Sequence, residues 1–341
     1  MNALTKGLLA ATAVLLAVSS SAARAAEPVL GLAAIDLQNS FFVRMKEAGD
    51  VAAKDYAVKT VWQSAEGSLE KQVGIIENFI NQKVNAILID PLDKNALTPV
   101  IKKAEAAGIP VITMGNKVDA GQYSTLYPDY GNMSTVAQAL GLEMGGKGQL
   151  GLLVGSRGNF VSDTREKAFV DTMKKDYPDI QIIGIEPTGW DSGKATNAAQ
   201  TWLTTYPDLK AIGCISGSMC LAADAVASSM SHDLLYGGYD GDPEMQPLIE
   251  SGKMVMDVLT GAYRVGYWNI AVASRLAKDD KLPKDLYMPT YFVTSEATAK
   301  FLADKGMKIE TIRPAQETEE AKNYAAQFGP SKPYSAMTAG K

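Results

Sequence analysis

Histidine and cysteine are almost missing from this chain, and each shortage excludes a class of chemistry. The 341 residues include one histidine and two cysteines. The histidine, His232, sits in the run Ser231-His232-Asp233. A nucleophile needs a base held in space by a third group, which adjacency in sequence does not supply. His232 is therefore read as a solvated loop residue, and the chain as a non-enzyme. No His/Cys group has metal-ligand spacing, so neither metal nor cofactor is expected. Gly145-Gly146-Lys147-Gly148 lacks the spacing of a phosphate-binding loop and is read as a helix breaker. Basic clusters are missing too. The formal charge is −5, which argues against nucleic acid or an anionic membrane as partner. After the first residues no apolar stretch is long enough to span a bilayer.

The first residues are informative. Lys6 gives a positive start, Gly7 to Val18 is apolar, and Ala23-Arg24-Ala25 is an Ala-x-Ala cleavage pattern. The apolar run is shorter than the roughly 20 residues of a membrane-spanning helix. Residues 1–25 are therefore expected to be a signal peptide, and the mature chain to act in the periplasm. Loss of Lys6 and Arg24 would take the formal charge from −5 to −7. About 315 residues remain, a length that suggests two domains. A composition of 46% hydrophobic and 21% charged residues is that of an ordinary globular protein. In an oxidising compartment Cys214 and Cys220 can close a short loop as a disulfide, if their Cα separation allows it. The reading preferred from sequence is two buried thiols on a strand and the following helix.

From Val29 onward strand and helix signals alternate. Val29–Ile35 is apolar throughout, as in a strand buried on both faces. Phe41–Asp55 has helical spacing, and Val58–Trp62 is a second strand. Ser68 caps a helix whose Val73, Ile76, Phe79 and Ile80 share one face. Ala86–Ile89 is a strand halted by Asp90-Pro91. A helix from Thr98 stops at Gly108, and Pro110–Thr113 is a fourth strand. The pattern restarts near Gly131. Strands are expected at 149–154, 181–185, 211–215 and 235–239, and helices around Arg165–Met173, at 194–205 and at 221–229. Further strands at 254–259 and 288–294 can cross between the halves. Repeated β-α units build parallel sheets with right-handed crossovers. The expected fold class is α/β, with two doubly wound parallel-sheet lobes.

The strand ends carry a resemblance. Asn39-Ser-Phe-Phe42 is similar to the Asn-x-Phe-Phe motif of ribose-type periplasmic sugar-binding proteins, which have the type I periplasmic binding fold. Ala107–Thr113, Arg165-Glu-Lys-Ala-Phe169 and Tyr236-Gly-Gly-Tyr-Asp240-Gly241 resemble three further segments of that family. The resemblance spans essentially the whole mature chain. It implies a lobe of residues 27–128 plus 262–291 and a second of 129–261 plus 292–326, joined by a three-crossover hinge, with 327–341 a flexible tail. It also implies a monomer that captures a small polar solute, a sugar or polyol, and delivers it to an ATP-driven (ABC) permease in the inner membrane. A sensor that docks the same fold onto a histidine kinase or chemoreceptor is the alternative.

Ligands of open α/β sheets bind outside the carboxyl ends of the strands, and the candidate binding residues lie there. Phe41, Phe42 and Trp190 offer aromatic faces to a sugar ring; each can instead pack in the core. Asn39 can donate and accept through one amide or serve as a helix cap. Asp240 can accept hydroxyl hydrogen bonds, or cap its own turn. Arg165 can fork onto two oxygens, or form a surface salt bridge. The family's Asp-Arg pair after strand four is here Gly115-Asn116, and its Asn-Asp-x-Met is Ser216-Gly-Ser218-Met219. A family Gln falls near Thr260, with Tyr263 and Arg264 close by. Asn116, Ser218 and Thr260 complete the candidate set. Asp129 opens the second lobe, and Tyr127 and Tyr130, which flank it, can each line the cleft or pack at the hinge. With the charged pair gone, the resemblance does not point to ribose itself.

Overall fold

The computed structural model describes residues 26–120, 122–288, 290–307 and 311–312. The expected signal peptide and tail lie outside the described residues. The first half alternates β1 (Val29–Ala34), α1 (Ser40–Asp55), β2 (Lys59–Ser64), α2 (Leu69–Asn81), β3 (Ala86–Ile89), α3 (Thr98–Ala106), β4 (Val111–Thr113) and β5 (Tyr123–Leu126). The second half repeats the theme with α4 (Asp129–Glu143), β6 (Lys147–Val154), α5 (Phe160–Asp176), β7 (Asp179–Pro187), α6 (Ser192–Thr205), β8 (Leu209–Cys214), α7 (Gly217–Ser229), β9 (Leu235–Gly237), α8 (Gln246–Glu250) and β10 (Met254–Leu259). It ends in α9 (Ala262–Leu276), β11 (Asp285–Tyr287), β12 (Tyr291–Val293), α10 (Glu296–Asp304) and β13 (Thr311–Ile312).

Two sheets result. One runs β2-β1-β3-β4-β5-β11, parallel throughout. The other runs β7-β6-β8-β9-β10-β12-β13. It is parallel except where β12 enters antiparallel to β10. In both, the first strand of the unit sits inside the second, so the chain reverses direction across the sheet beside β1 and beside β6. Such switch points open a crevice at the carboxyl ends of the strands. The chain passes between the sheets after β5, after β10 and after β11.

Each sheet has its own core. Around the first, Leu30, Leu32, Phe79, Ile87, Leu88 and Ile112 are fully buried. Leu150, Leu152, Phe169, Ile212, Tyr236 and Met256 do the same around the second. The caps behave as the residue types dictate. Ser68 Oγ accepts from Lys71 N, and Asn159 Oδ1 from Ser162 N. Gly145 and Gly146 adopt positive φ in the turn between α4 and β6, and Gly148, also at positive φ, lies within β6.

Several sequence readings are corrected. Helix α9 is a further element, and twelve of its fifteen residues are buried. It returns to the first core and lies against α1. A Cβ on Gly266 would fall 2.0 Å from the Met45 carbonyl oxygen, so only glycine permits that approach. The expected strand 288–294 is shorter: among its described residues Tyr291–Val293 is strand, and a separate strand, Asp285–Tyr287, precedes it. Cys214 and Cys220 are not free thiols. Their Cα atoms are 5.6 Å apart and they form a disulfide from the end of β8 to the first turn of α7. The helix starts at Gly217 rather than 221, which brings Cys220 back under the strand. His232 is not fully solvated, since its Nε2 lies 3.2 Å from the Leu209 carbonyl oxygen.

Candidate functional site

The carboxyl ends of the two sheets face each other across a cavity of about 80 Å³. The first sheet contributes Asn39, Phe41 and Phe42 after β1, Asp90 after β3, and Gly115 and Asn116 after β4. The second contributes Asn159 and Arg165 after β6, Trp190 after β7, Asp240 after β9 and Thr260 after β10. Eight of the nine candidates named from sequence therefore come together. Ser218 does not line the cavity. It lies in the first turn of α7 with its hydroxyl 3.3 Å from that of Ser216.

The aromatic groups come from both sides. Phe41 and Phe42 stand edge to face, ring centres 5.7 Å apart. Trp190 packs against both hydrophobic cores and covers Gly155, where a Cβ would fall 2.4 Å from the indole. Its backbone is left-handed, with φ +69, and that of Asp240 has φ +92. Bulky and branched residues avoid this region. Strain of this kind persists where surrounding structure holds a residue for a purpose, often at a ligand site.

The polar groups are mostly committed to one another. Asn39 acts as a cap: its Oδ1 accepts from Phe41 N at 2.9 Å. Asn116 Oδ1 accepts from Lys117 N, and its Nδ2 is 3.5 Å from Asp90 Oδ1. Thr260 Oγ1 donates to the Asp240 carbonyl. Arg165 is not a surface residue. It is buried, donates from Nε to Asp129 Oδ1 at 2.8 Å, and from Nη1 to the Ile215 carbonyl at 2.7 Å and Asp240 Oδ1 at 3.1 Å. The Tyr239 ring lies under its guanidinium, 3.4 Å from Cζ to the ring centre. Burial works against that charge, but Asp129, Tyr239 and Asp240 outweigh it and raise the Arg165 pKa. Asp129 is thus the partner that locks Arg165. Tyr127 lines the cavity, and Tyr130 is exposed with its hydroxyl on Asp171.

Asp90 is the residue sequence reasoning passed over. Asp90-Pro91 was read only as the punctuation that ends β3. The carboxyl is buried, lines the cavity, and is pushed up to about 7 by burial, partly offset by Asn116 and Arg165. Asn159 was also missed; its Nδ2 donates to the Pro91 carbonyl at 2.8 Å, from one sheet's side to the other. Further contacts bridge the mouth. Lys94 Nζ meets Asp163 at 2.7 Å, Lys94 N donates to the Gly158 carbonyl, and Arg44 meets Asp242 at 3.1 Å and also Glu244. Among the described residues no group of three or more His, Cys, Asp or Glu side chains is arranged to hold a metal.

Comparison with known proteins agrees with this geometry. The profile of the family described as "Periplasmic binding protein domain" matches residues 30–281. The ribose import binding protein of Bacillus subtilis is 26% identical over 272 residues, 79% of this chain and 88% of that protein. The D-allose-binding periplasmic protein of Escherichia coli is 27% identical over 288 residues, 80% of this chain and 91% of that one. The xylitol-binding protein of Mycolicibacterium smegmatis is 26% identical over 262 residues, 75% and 74% of the two chains. Among solved structures, an ABC transporter periplasmic solute binding protein from Actinobacillus succinogenes with bound D-allose superposes with a TM-score of 0.73 at 25% identity, covering 80% of this chain and all of that one. Two α/β lobes, a solute-sized cavity at their strand ends and the family match across most of the described residues lead to one assignment: the chain belongs to the periplasmic binding protein domain family, has the type I periplasmic binding fold, and is a solute-binding protein rather than an enzyme.

Proposed function

We propose that this protein captures a small neutral sugar or polyol between its lobes in the periplasm and presents the closed form to an ABC permease of the inner membrane. One observation carries the reading: a single small cavity is walled by aromatic faces and hydrogen-bonding groups from both sheets. A solute touching both walls is bound fully only when they meet, so binding shifts the population toward closure. Size supports a monosaccharide or smaller. A water needs roughly 10–15 Å³ of such space, so about 80 Å³ is room for several waters, on the scale of a monosaccharide. Relatives named for ribose, allose and xylitol binding support the chemical class.

The test is a titration of the purified mature chain with D-ribose, D-allose, xylitol, glycerol and myo-inositol by calorimetry and thermal shift. At least one should bind with micromolar affinity or better, about 8 kcal/mol or more. Trp190→Ala should weaken that ligand by about tenfold or more, through lost ring stacking. Absence of binding across this panel and a wider set of sugars and polyols would sink the proposal.

A further inference from the structure

The residue that replaces the missing charged pair is visible in the cavity wall. Position 115, where ribose-type proteins place a carboxylate, cannot carry one here. Gly115 has φ +62, and a Cβ there would lie 2.9 Å from the Tyr127 ring. Tyr127 is itself buried, so it cannot step aside at low cost. The carboxylate instead comes from the neighbouring strand end. Asp90 is 9% exposed and lines the cavity. Its backbone is held firmly: Asp90 N donates to the Ala33 carbonyl, and buried Gln72 donates from Nε2 to the Asp90 carbonyl at 2.6 Å and accepts from Leu92 N at 3.0 Å. Its side chain is not. The side-chain hydrogen bond it makes, from Asn116, is 3.5 Å long, at the limit of a useful bond. A buried carboxylate with so little compensation is costly. Hydroxyl donors of a solute would supply what is missing.

The charge balance adds direction. Arg165 is the one cation among the described residues lining the cavity, and its Nε and Nη1 are already on Asp129, Asp240 and Ile215. An incoming anion would meet Asp90 from one lobe and Asp240 from the other, while the guanidinium of Arg165 is already shared with Asp129 and Asp240.

Resting on the proposed sugar or polyol function, we infer that Asp90 is the carboxylate on the first-sheet side that grips the solute's hydroxyls, and that the site selects neutral polyols and sugars against their carboxylate forms. The measurement is calorimetry at neutral pH with D-ribose, xylitol and D-allose, and with D-ribonate as the acidic counterpart. The wild-type protein should bind at least one neutral solute, and D-ribonate more than a hundredfold more weakly. Asp90→Asn, checked for an unchanged circular dichroism spectrum, should lose about tenfold to a hundredfold in affinity for the neutral solute and narrow the gap to D-ribonate. Asp90→Ser should behave alike. Equal binding of D-ribonate by the wild type, or unchanged neutral affinity in both variants, overturns the inference and leaves the proposed function standing. If no neutral solute binds the wild type, the function and the inference fall together.

Discussion

Arg165 shows how differently one residue behaves in sequence and in space. In sequence it is a cation at a helix start, equally suited to a surface ion pair. In the fold it is buried between Asp129 and Asp240 with Tyr239 beneath it. Removing one partner of a buried pair leaves an uncompensated charge, typically costing about 3–5 kcal/mol. Arg165→Met should therefore lower unfolding stability by about that amount in a urea titration. Arg165→Met combined with Asp129→Asn should recover part of the loss. Equal stability of the single and double variants would show that the pair is not energetically coupled. Asp90 makes the complementary point. Its identity was in plain view, yet its local role as a turn former before Pro91 masked its role in the cavity wall.

At the scale of elements, apolar runs made most of the strands legible. β1, α2, β3 and β6 announce themselves by apolar runs or a single apolar face, and each forms where the pattern places it. β5 is not legible because Tyr123-Ser-Thr-Leu126 has few apolar residues. α9 and α10 carry a one-sided apolar pattern as strong as that of α1, and nothing in the pattern explains why the sequence reading lacks them. The disulfide belongs to this scale as well. It ties β8 to α7 across a six-residue separation, beside the Ile215 carbonyl that receives Arg165. Chain-entropy reasoning gives a loop of that length about 2 kcal/mol of stabilisation. Cys214→Ser/Cys220→Ser should lower the urea midpoint by a corresponding amount. Reduction of the wild type should do the same once the buried bond is exposed by unfolding. An unchanged midpoint in the double variant would mean that packing alone holds the junction.

For the whole molecule the notable electrostatic feature is a group of buried acids near the inter-sheet junction. Burial pushes Asp90 up to about 7, Asp242 up to about 8 and Asp257 up to about 7, with Asp240 adding to each shift. Ordinary aspartates titrate near 4. Between these limits the folded chain holds protons that the unfolded chain releases, so stability falls as pH rises. The contribution is fully present below the unfolded value and is lost as pH climbs through about 7 to 8. The melting temperature should therefore be higher near about pH 5 than near about pH 8.5. Asp242→Asn with Asp257→Asn should flatten that decline. A melting temperature that rises across the same window would contradict the account.

The sequence by itself determined the α/β alternation, the family resemblance and most of the strand-end residues that reach the cavity. These are local properties: apolar period, turn chemistry and short motifs depend on neighbours along the chain. The tertiary structure alone decided three things: that Cys214 and Cys220 are bonded, that Ser218 lies against Ser216 and not on the cavity wall, and that Arg165 is paired with Asp129 and Asp240 while Asp90 has one long side-chain hydrogen bond. Each depends on distances between segments far apart in sequence, and on what burial does to a charge once those segments close around it.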